Sequence, residues 1–255
     1  ILVYGDDVKF DGDMILTPEK LIGTGKIDYK RARIQSERFA LQPKDISSEE
    51  ADFKIINEDS DIPAFSSPDI SFDLSLEEED FQASSNTDEA NTTFDYQRYR
   101  TNIKEFEWDV KNDDIRLNAG ENQEINNTYM VSTDPNSDSL KFNTNSAYFD
   151  LKKLTIEAKN VPYIKIADAQ IYPDSNKIFI EKNSTLRSLE NARIKTDTIW
   201  YYHDFYKAKI NIFSKNKYSA YAYYDYITDD GEKYKLYFRD IKTNEHGMTV
   251  ATGEI

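Results

Sequence analysis

Two histidines, His203 and His246, and no cysteine set the limits on chemistry in this 255-residue chain. A zinc-type centre needs several clustered His or Cys ligands, and neither His-Glu-x-x-His nor His-x-His occurs. Without cysteine there is no disulfide, thiolate metal site or Cys nucleophile. His203 stands in Tyr201-Tyr202-His203-Asp204, the makings of a hydrogen-bonded aromatic cluster. No Gly-x-Ser-x-Gly elbow presents a serine nucleophile. Gly23-Thr24-Gly25 is the only Gly-x-Gly and lacks the third glycine of a phosphate-binding loop.

Carboxylates are abundant but weakly patterned. Asp134-Pro135-Asn136-Ser137-Asp138 spaces its oxygens as a helix-loop-helix calcium loop begins. Ser139 then stands where that loop needs Gly, and Asn145 where it needs a bidentate Glu. Asp6, Asp7, Asp11 and Asp13 form a second acidic cluster around an expected turn. No cofactor is expected, with weak calcium binding at these loops as the open variant. Glycoside hydrolysis needs two carboxylates at a fixed separation, and 47 Asp and Glu residues make any one pair uninformative. Trp108 and Trp200 are either core residues or sugar-stacking platforms. No catalytic residue is assigned, and the chain reads as a non-enzyme.

The elements that would position these groups are strands. Ile70, Phe72, Leu74 and Leu76 alternate with Ser71, Asp73 and Ser75, the period of a half-buried strand. Leu154, Ile156 and Ala158, then Ile164 and Ile166, then Ile178 and Ile180, then Ala208, Ile210 and Ile212 do the same. Tyr218, Ala220, Ala222, Tyr224 and Tyr226 share one face of a long strand. Asp230-Gly231 accepts the positive φ of a tight turn and predicts a hairpin between residues 221–227 and 234–238. Helix signals are limited to about a turn at residues 47–52 and 185–191. Residues 57–68 and 84–93 read as loops, and so do 119–128 and, after a short apolar run at 129–131, 132–139.

Two motifs recur far apart. Ala32-Arg33-Ile34-Gln35-Ser36-Glu37 returns as Ala192-Arg193-Ile194-Lys195-Thr196-Asp197, and Thr24-Gly25-Lys26-Ile27 as Thr252-Gly253-Glu254-Ile255. Recurrence of this kind points to a repeated β unit, an architecture that offers surface more than an enclosed pocket. The expected fold is all-β: elongated, stacked antiparallel or mixed strands, as a β-solenoid, a β-groove or tandem β-sandwich modules. The expected organisation is a β-rich module over 1–120, a linker over 121–139 and a second module over 140–255.

Composition narrows the partners. The net charge of −15 disfavours nucleic acid and anionic lipid, which reward clustered Lys and Arg. With 18 Tyr and 14 Phe in a chain only 38% hydrophobic, strand faces that stay wet are expected to carry tyrosine. The candidate partner-facing aromatics are Tyr221, Tyr223, Tyr224, Tyr226, Trp200 and Tyr201. No apolar run approaches the roughly 18–20 residues of a membrane helix. The chain begins at Ile1, shows no signal peptide and ends on a strand-like segment, as a piece of a longer polypeptide would.

The segments Val131-Ser132-Thr133-Asp134-Pro135-Asn136-Ser137-Asp138-Ser139-Leu140 and Ile166-Ala167-Asp168-Ala169-Gln170-Ile171-Tyr172-Pro173-Asp174-Ser175 resemble stretches of large, uncharacterised envelope proteins of Gram-negative bacteria. Gly25-Lys26-Ile27-Asp28-Tyr29 and Ala32-Arg33-Ile34-Gln35-Ser36 are similar in texture to the repeats of OstA/LptA-like and AsmA/TamB-like β-groove proteins. Those families move lipid along an apolar groove between the inner and outer membranes. The resemblance implies a cell-envelope (periplasmic or outer-membrane-associated) or secreted location. It implies contact with other segments of a parent protein, with envelope proteins, or with lipid or glycan. A lipid groove would require Leu154, Ile156, Ile164, Ile166, Ile178, Ile180, Ile210 and Ile212 to line one open apolar surface. The reading placed first is a non-catalytic interaction module, with the lipid groove and a carbohydrate-binding or carbohydrate-active domain as alternatives.

Overall fold

The computed structural model describes residues 8–57, 60, 62–120, 123–196 and 203–254. Among them the fold is all-β, with every strand pairing antiparallel and only three short 3-10 turns as helical structure. The mixed-strand and solenoid versions of the expectation give way to an antiparallel hairpin stack.

Five long strands come first: β1 (Val8–Leu16), β2 (Leu21–Tyr29), β3 (Ala32–Leu41), β4 (Asp45–Ile55) and β5 (Phe65–Ser75), each paired with the next. The sheet then divides along β5. Its second half, from Ile70 to Ser75, pairs with β6 (Asp80–Ser85), while Ser66 in its first half pairs with Thr93 of β7 (Thr92–Phe94). Pro68 lies between the two halves, beside a register shift, and Asp69 follows with φ 48°. Proline has no N–H to give to a ladder, so a bulge is where a strand tolerates it. Residues 57–68, read as one loop, therefore end in strand.

From here the chain alternates between two rows. One row runs β6, β9 (Glu105–Asp109), β10 (Asp114–Asn118), β13 (Ser146–Asp150), β14 (Thr155–Lys159) and β17 (Ile178–Ile180). The other runs β7, β8 (Tyr99–Thr101), β11 (Tyr129–Ser132), β12 (Lys141–Asn143), β15 (Ile164–Ile166) and β16 (Ala169–Tyr172). Four hairpin loops of four residues, 76–79, 95–98, 110–113 and 151–154, each end on a left-handed residue: Glu79, Arg98, Asp113 and Leu154, with φ between 51° and 60°. None of these is glycine, so the turns carry no sequence signal of the usual kind.

The rows meet again at β18 (Leu189–Thr196). Leu186, just before it, bridges to Ile180 of β17, while Ala169–Tyr172 of β16 pairs with its second half. Register shifts around Ala192 and a left-handed Asn191 (φ 52°) mark the bend. β5 and β18 are thus matching creases at the two ends of the stack. Beyond the second lie β19 (His203–Ser214), β20 (Lys217–Ile227), β21 (Lys233–Thr243) and β22 (Thr249–Glu254). The predicted hairpin is β20–β21, with Gly231 at φ 86°. The sheet is not closed into a barrel; among the described residues β1 and β22 each pair on one side only.

Between the rows lies a single apolar core, contiguous from Val8 to Ile241. Phe94 of one row meets Phe149 of the other edge-on at 5.2 Å, and Phe53 stacks on Phe81 at 4.3 Å. Such ring pairs contribute about 0.5–1.5 kcal/mol each beyond simple burial. The segment expected as a linker contains β11, whose Met130 is fully buried and whose residues pair with both β8 and β12. Residues 47–52, expected as a turn of helix, lie within β4, and residues 185–191 lead into β18 without a helical turn. Hydroxyls at the β3–β4 bend are paired, Ser36 Oγ to Ser48 Oγ at 2.9 Å, which lets these polar residues sit inward in a strand.

Candidate functional site

The apolar positions that a lipid groove would expose are covered. Ile156, Ile164, Ile166, Ile178, Ile180 and Ile210 have no exposed surface, Ile212 is buried, and Leu154 is half-buried at its turn. Those of β14, β15 and β17 fill the core between the rows, and Ile210 and Ile212 of β19 continue that core beyond β18. Trp108 is likewise buried, packed among Tyr29, Phe53 and Phe81. Asp134 caps the short turn Pro135–Ser137 through Asn136 N–H at 2.9 Å and holds Arg98 at 2.7 Å. Those bonds pull its pKa below the ordinary carboxylate value, the backbone bond from Asn136 most of all. Asp11 and Asp13 lie exposed on β1, and Asp6 and Asp7 fall outside the described residues. Among the described residues no three His, Asp or Glu side chains come together as a metal site.

The aromatic prediction is sorted by strand period. On β20, Tyr218, Ala220 and Ala222 are buried, Tyr224 follows on the same side half-buried, and Tyr226 carries that side past the core, 50% exposed; Tyr221, Tyr223 and Asp225 take the other, solvent-facing side. Register brings two further rings to the solvent side: Tyr206 of β19 is opposite Tyr223, and Tyr223 is opposite Tyr237 of β21. The four rings make a continuous track. Tyr206 to Tyr223 is 6.1 Å between ring centroids, Tyr223 to Tyr237 is 5.2 Å, and Tyr221 to Tyr237 is 6.3 Å. Tyr221 and Tyr237 are 42% and 39% exposed. Sequence periodicity finds Tyr221 and Tyr223 but not Tyr206 and Tyr237, because cross-strand alignment depends on register.

Charged pairs border the track. Tyr206 donates its hydroxyl to Asp225 at 2.7 Å, and Lys233 reaches the other carboxylate oxygen at 2.7 Å. The bonds from Lys233 and Tyr206 hold Asp225 below its ordinary pKa, while the bond to Asp225 pushes Tyr206 up. Lys209 pairs with Glu190 at 2.8 Å, and Lys235 Nζ lies 4.1 Å from the centre of the Tyr223 ring. Arg193 grips Asp204 through Nε and Nη2. Beside Arg193 and Asp204 opens a cavity of about 580 Å³ that also touches Tyr206, Asp225, Tyr224, Tyr226 and Ile227.

Tyr224 and Tyr226 stand apart from the track on the opposite side of β20, Tyr226 exposed. Tyr224 packs with Phe205 at 5.3 Å and Phe238 at 6.0 Å, and its hydroxyl is 3.3 Å from His203 Nδ1. Tyr202, expected beside His203 in an aromatic cluster, lies outside the described residues. Trp200 and Tyr201 lie outside the described residues.

A larger cavity of about 1340 Å³ lies over β2–β6, β9 and β10. Carboxylates of Glu37, Glu49, Glu50, Asp52, Asp69, Asp73, Glu105 and Glu107 line it, against Lys20, Arg38 and Arg116. No pattern in the sequence gathers these residues; the bends of β3, β4 and β5 do.

No family model and no curated protein matches the chain.

Proposed function

We propose that the chain is a non-catalytic interaction module whose contact surface is the tyrosine track on β19, β20 and β21. The supporting observation is the ring-to-ring continuity of Tyr206, Tyr223, Tyr237 and Tyr221 on a solvent-facing sheet. Tyrosine offers contact area at low entropic cost and a hydroxyl that stays hydrogen-bonded when covered, the traits that enrich it at interfaces. The likeness to Gram-negative envelope proteins supports an envelope or secreted setting, with partners among envelope components or other segments of a parent protein. The closed core favours the outer faces over an internal groove for binding.

The test is recovery of the tagged full chain from cells that make it, with co-purifying proteins and glycans identified by mass spectrometry. A component recovered with the natural chain and lost from a Tyr221→Ser/Tyr237→Ser variant of unchanged circular dichroism is the expected result. Identical recovery by both would overturn the assignment of the surface.

A further inference from the structure

We infer that the tyrosine track and the cavity beside Arg193 and Asp204 take a neutral carbohydrate chain. The inference rests on the proposed use of that surface and names its ligand. A sugar presents two kinds of surface: C–H faces that stack on aromatic rings, and hydroxyl pairs that bond to planar carboxylate or guanidinium groups. Both recognition elements occur here within one patch. The rings are Tyr206, Tyr223, Tyr237 and Tyr221, and the planar polar groups are Arg193, Asp204 and Asp225.

Among the partners proposed, the polar surroundings of the track favour a hydroxyl-rich ligand over a protein. Energetic centres of protein interfaces are dry and depleted of charge. Each part of this track instead borders an ion pair: Lys209–Glu190, Lys233–Asp225 and Arg193–Asp204. Lys235 lies over the Tyr223 ring itself. Covering these groups with apolar side chains would strip their water without replacing its hydrogen bonds. A hydroxyl-rich ligand replaces those bonds as it binds.

Shape and charge refine the class. Centroid steps of 6.1, 5.2 and 6.3 Å carry the rings across three strands, a track for several linked sugars and not a pocket for one. The cavity of about 580 Å³ at its end accepts a sugar edge against the Arg193–Asp204 pair. The charged groups around the track nearly balance, Arg193, Lys209, Lys233 and Lys235 against Glu190, Asp204 and Asp225, which favours an uncharged ligand.

Affinity gel electrophoresis of the full chain tests this, with soluble β-glucan, mannan, xylan and galactan cast into separate native gels. At least one polymer is expected to retard the natural chain. Tyr221→Ala/Tyr237→Ala should weaken that retardation about tenfold or more, a loss of about 1.4 kcal/mol or more. Tyr163→Ala, an exposed tyrosine on another strand connection, should leave it unchanged. Circular dichroism and melting temperature establish that each variant is folded. Absence of retardation in all four gels, or equal retardation of the double variant, overturns the inference. If a co-purified protein is lost from the double variant while no gel retards the chain, the ligand class is wrong and the surface is right. If nothing recovered or cast depends on these tyrosines, both readings fall.

Discussion

The carboxylate of Asp168 accepts the backbone N–H of Thr249 at 3.0 Å and its hydroxyl at 2.6 Å, fastening the β15–β16 turn to the start of β22. Because Thr249 Oγ1 donates to Asp168, it must accept from Tyr218 Oη, 2.7 Å away. Burial pushes the Tyr218 hydroxyl well above its ordinary pKa, so it stays a donor at neutral pH. Asp168→Ala removes the acceptor and leaves the Thr249 donors to water. The expected cost is about 1.5–3 kcal/mol, the range for hydrogen bonds to a charged group. Hydrogen exchange should show the loss first in the amides of β21 and β22.

The single core predicts one unfolding transition. Phe53 touches Phe65, Phe81, Phe106 and Trp108 near one end of the stack, and Ile156 is buried near the other. Phe53→Ala should cost about 3–5 kcal/mol and Ile156→Ala about 2–5 kcal/mol. Both should move the same urea transition without changing its slope. Two transitions, each sensitive to one substitution, would instead mean two separately folding modules.

Asp114 has a pH signature opposite to that of its neighbour Asp109. Burial raises the pKa of Asp114, partly offset by Arg116, while hydrogen bonds from Asn112 lower that of Asp109. A raised carboxyl pKa makes a contribution that is complete below the ordinary carboxylate value and lost as pH rises through the folded one. At neutral pH the ionised Asp114 is therefore a burden. Asp114→Asn should raise the melting temperature at pH 7, and the gain should shrink as pH falls through the raised pKa and be gone below the ordinary carboxylate value of about 4. Asp109→Asn should do the reverse: it destabilises at pH 7, and its effect fades as acid protonates the natural residue. Thermal melts from pH 3 to 8 check both signs.

Gly12 and Gly25 face each other across β1 and β2, with φ values of 156° and 143°. A Cβ on Gly12 would lie 2.1 Å from the Thr24 carbonyl oxygen, which is backbone and cannot swing aside. Gly12→Ala should destabilise the chain by more than about 1 kcal/mol. Loss of exchange protection confined to β1 and β2 is the expected readout.

Parts of this fold are legible in the residues. Alternation marks β14, β19 and β20 because each has one face on the core, and Asp230-Gly231 marks its hairpin because the turn needs positive φ. The echoed motifs also have a physical sense. Ala32 and Ile34 of β3, like Ala192 and Ile194 of β18, face the core. Arg33 bonds Asp28 across the hairpin as Arg193 bonds Asp204. The alternation between rows is not legible. It depends on turns closed by Glu79, Arg98, Asp113 and Leu154 in a conformation usually left to Gly or Asn. β11 is only four residues long and flanked by polar loops, so its apolar run at 129–131 shows in the sequence but its place in the sheet does not until Met130 is seen in the core. Half of the tyrosine track is visible as period two on β20. The rest requires the register that aligns Tyr206 and Tyr237 with it.

Hydroxyl-radical footprinting addresses the surface itself. The full chain is compared alone and in the assembly recovered with it, or with the polysaccharide that retards it. Oxidation of Tyr206, Tyr221, Tyr223 and Tyr237 should fall on binding while that of Tyr163 stays constant. Unchanged oxidation of the four tyrosines, with protection appearing over the carboxylate-lined cavity or along the β1 edge instead, would contradict the account.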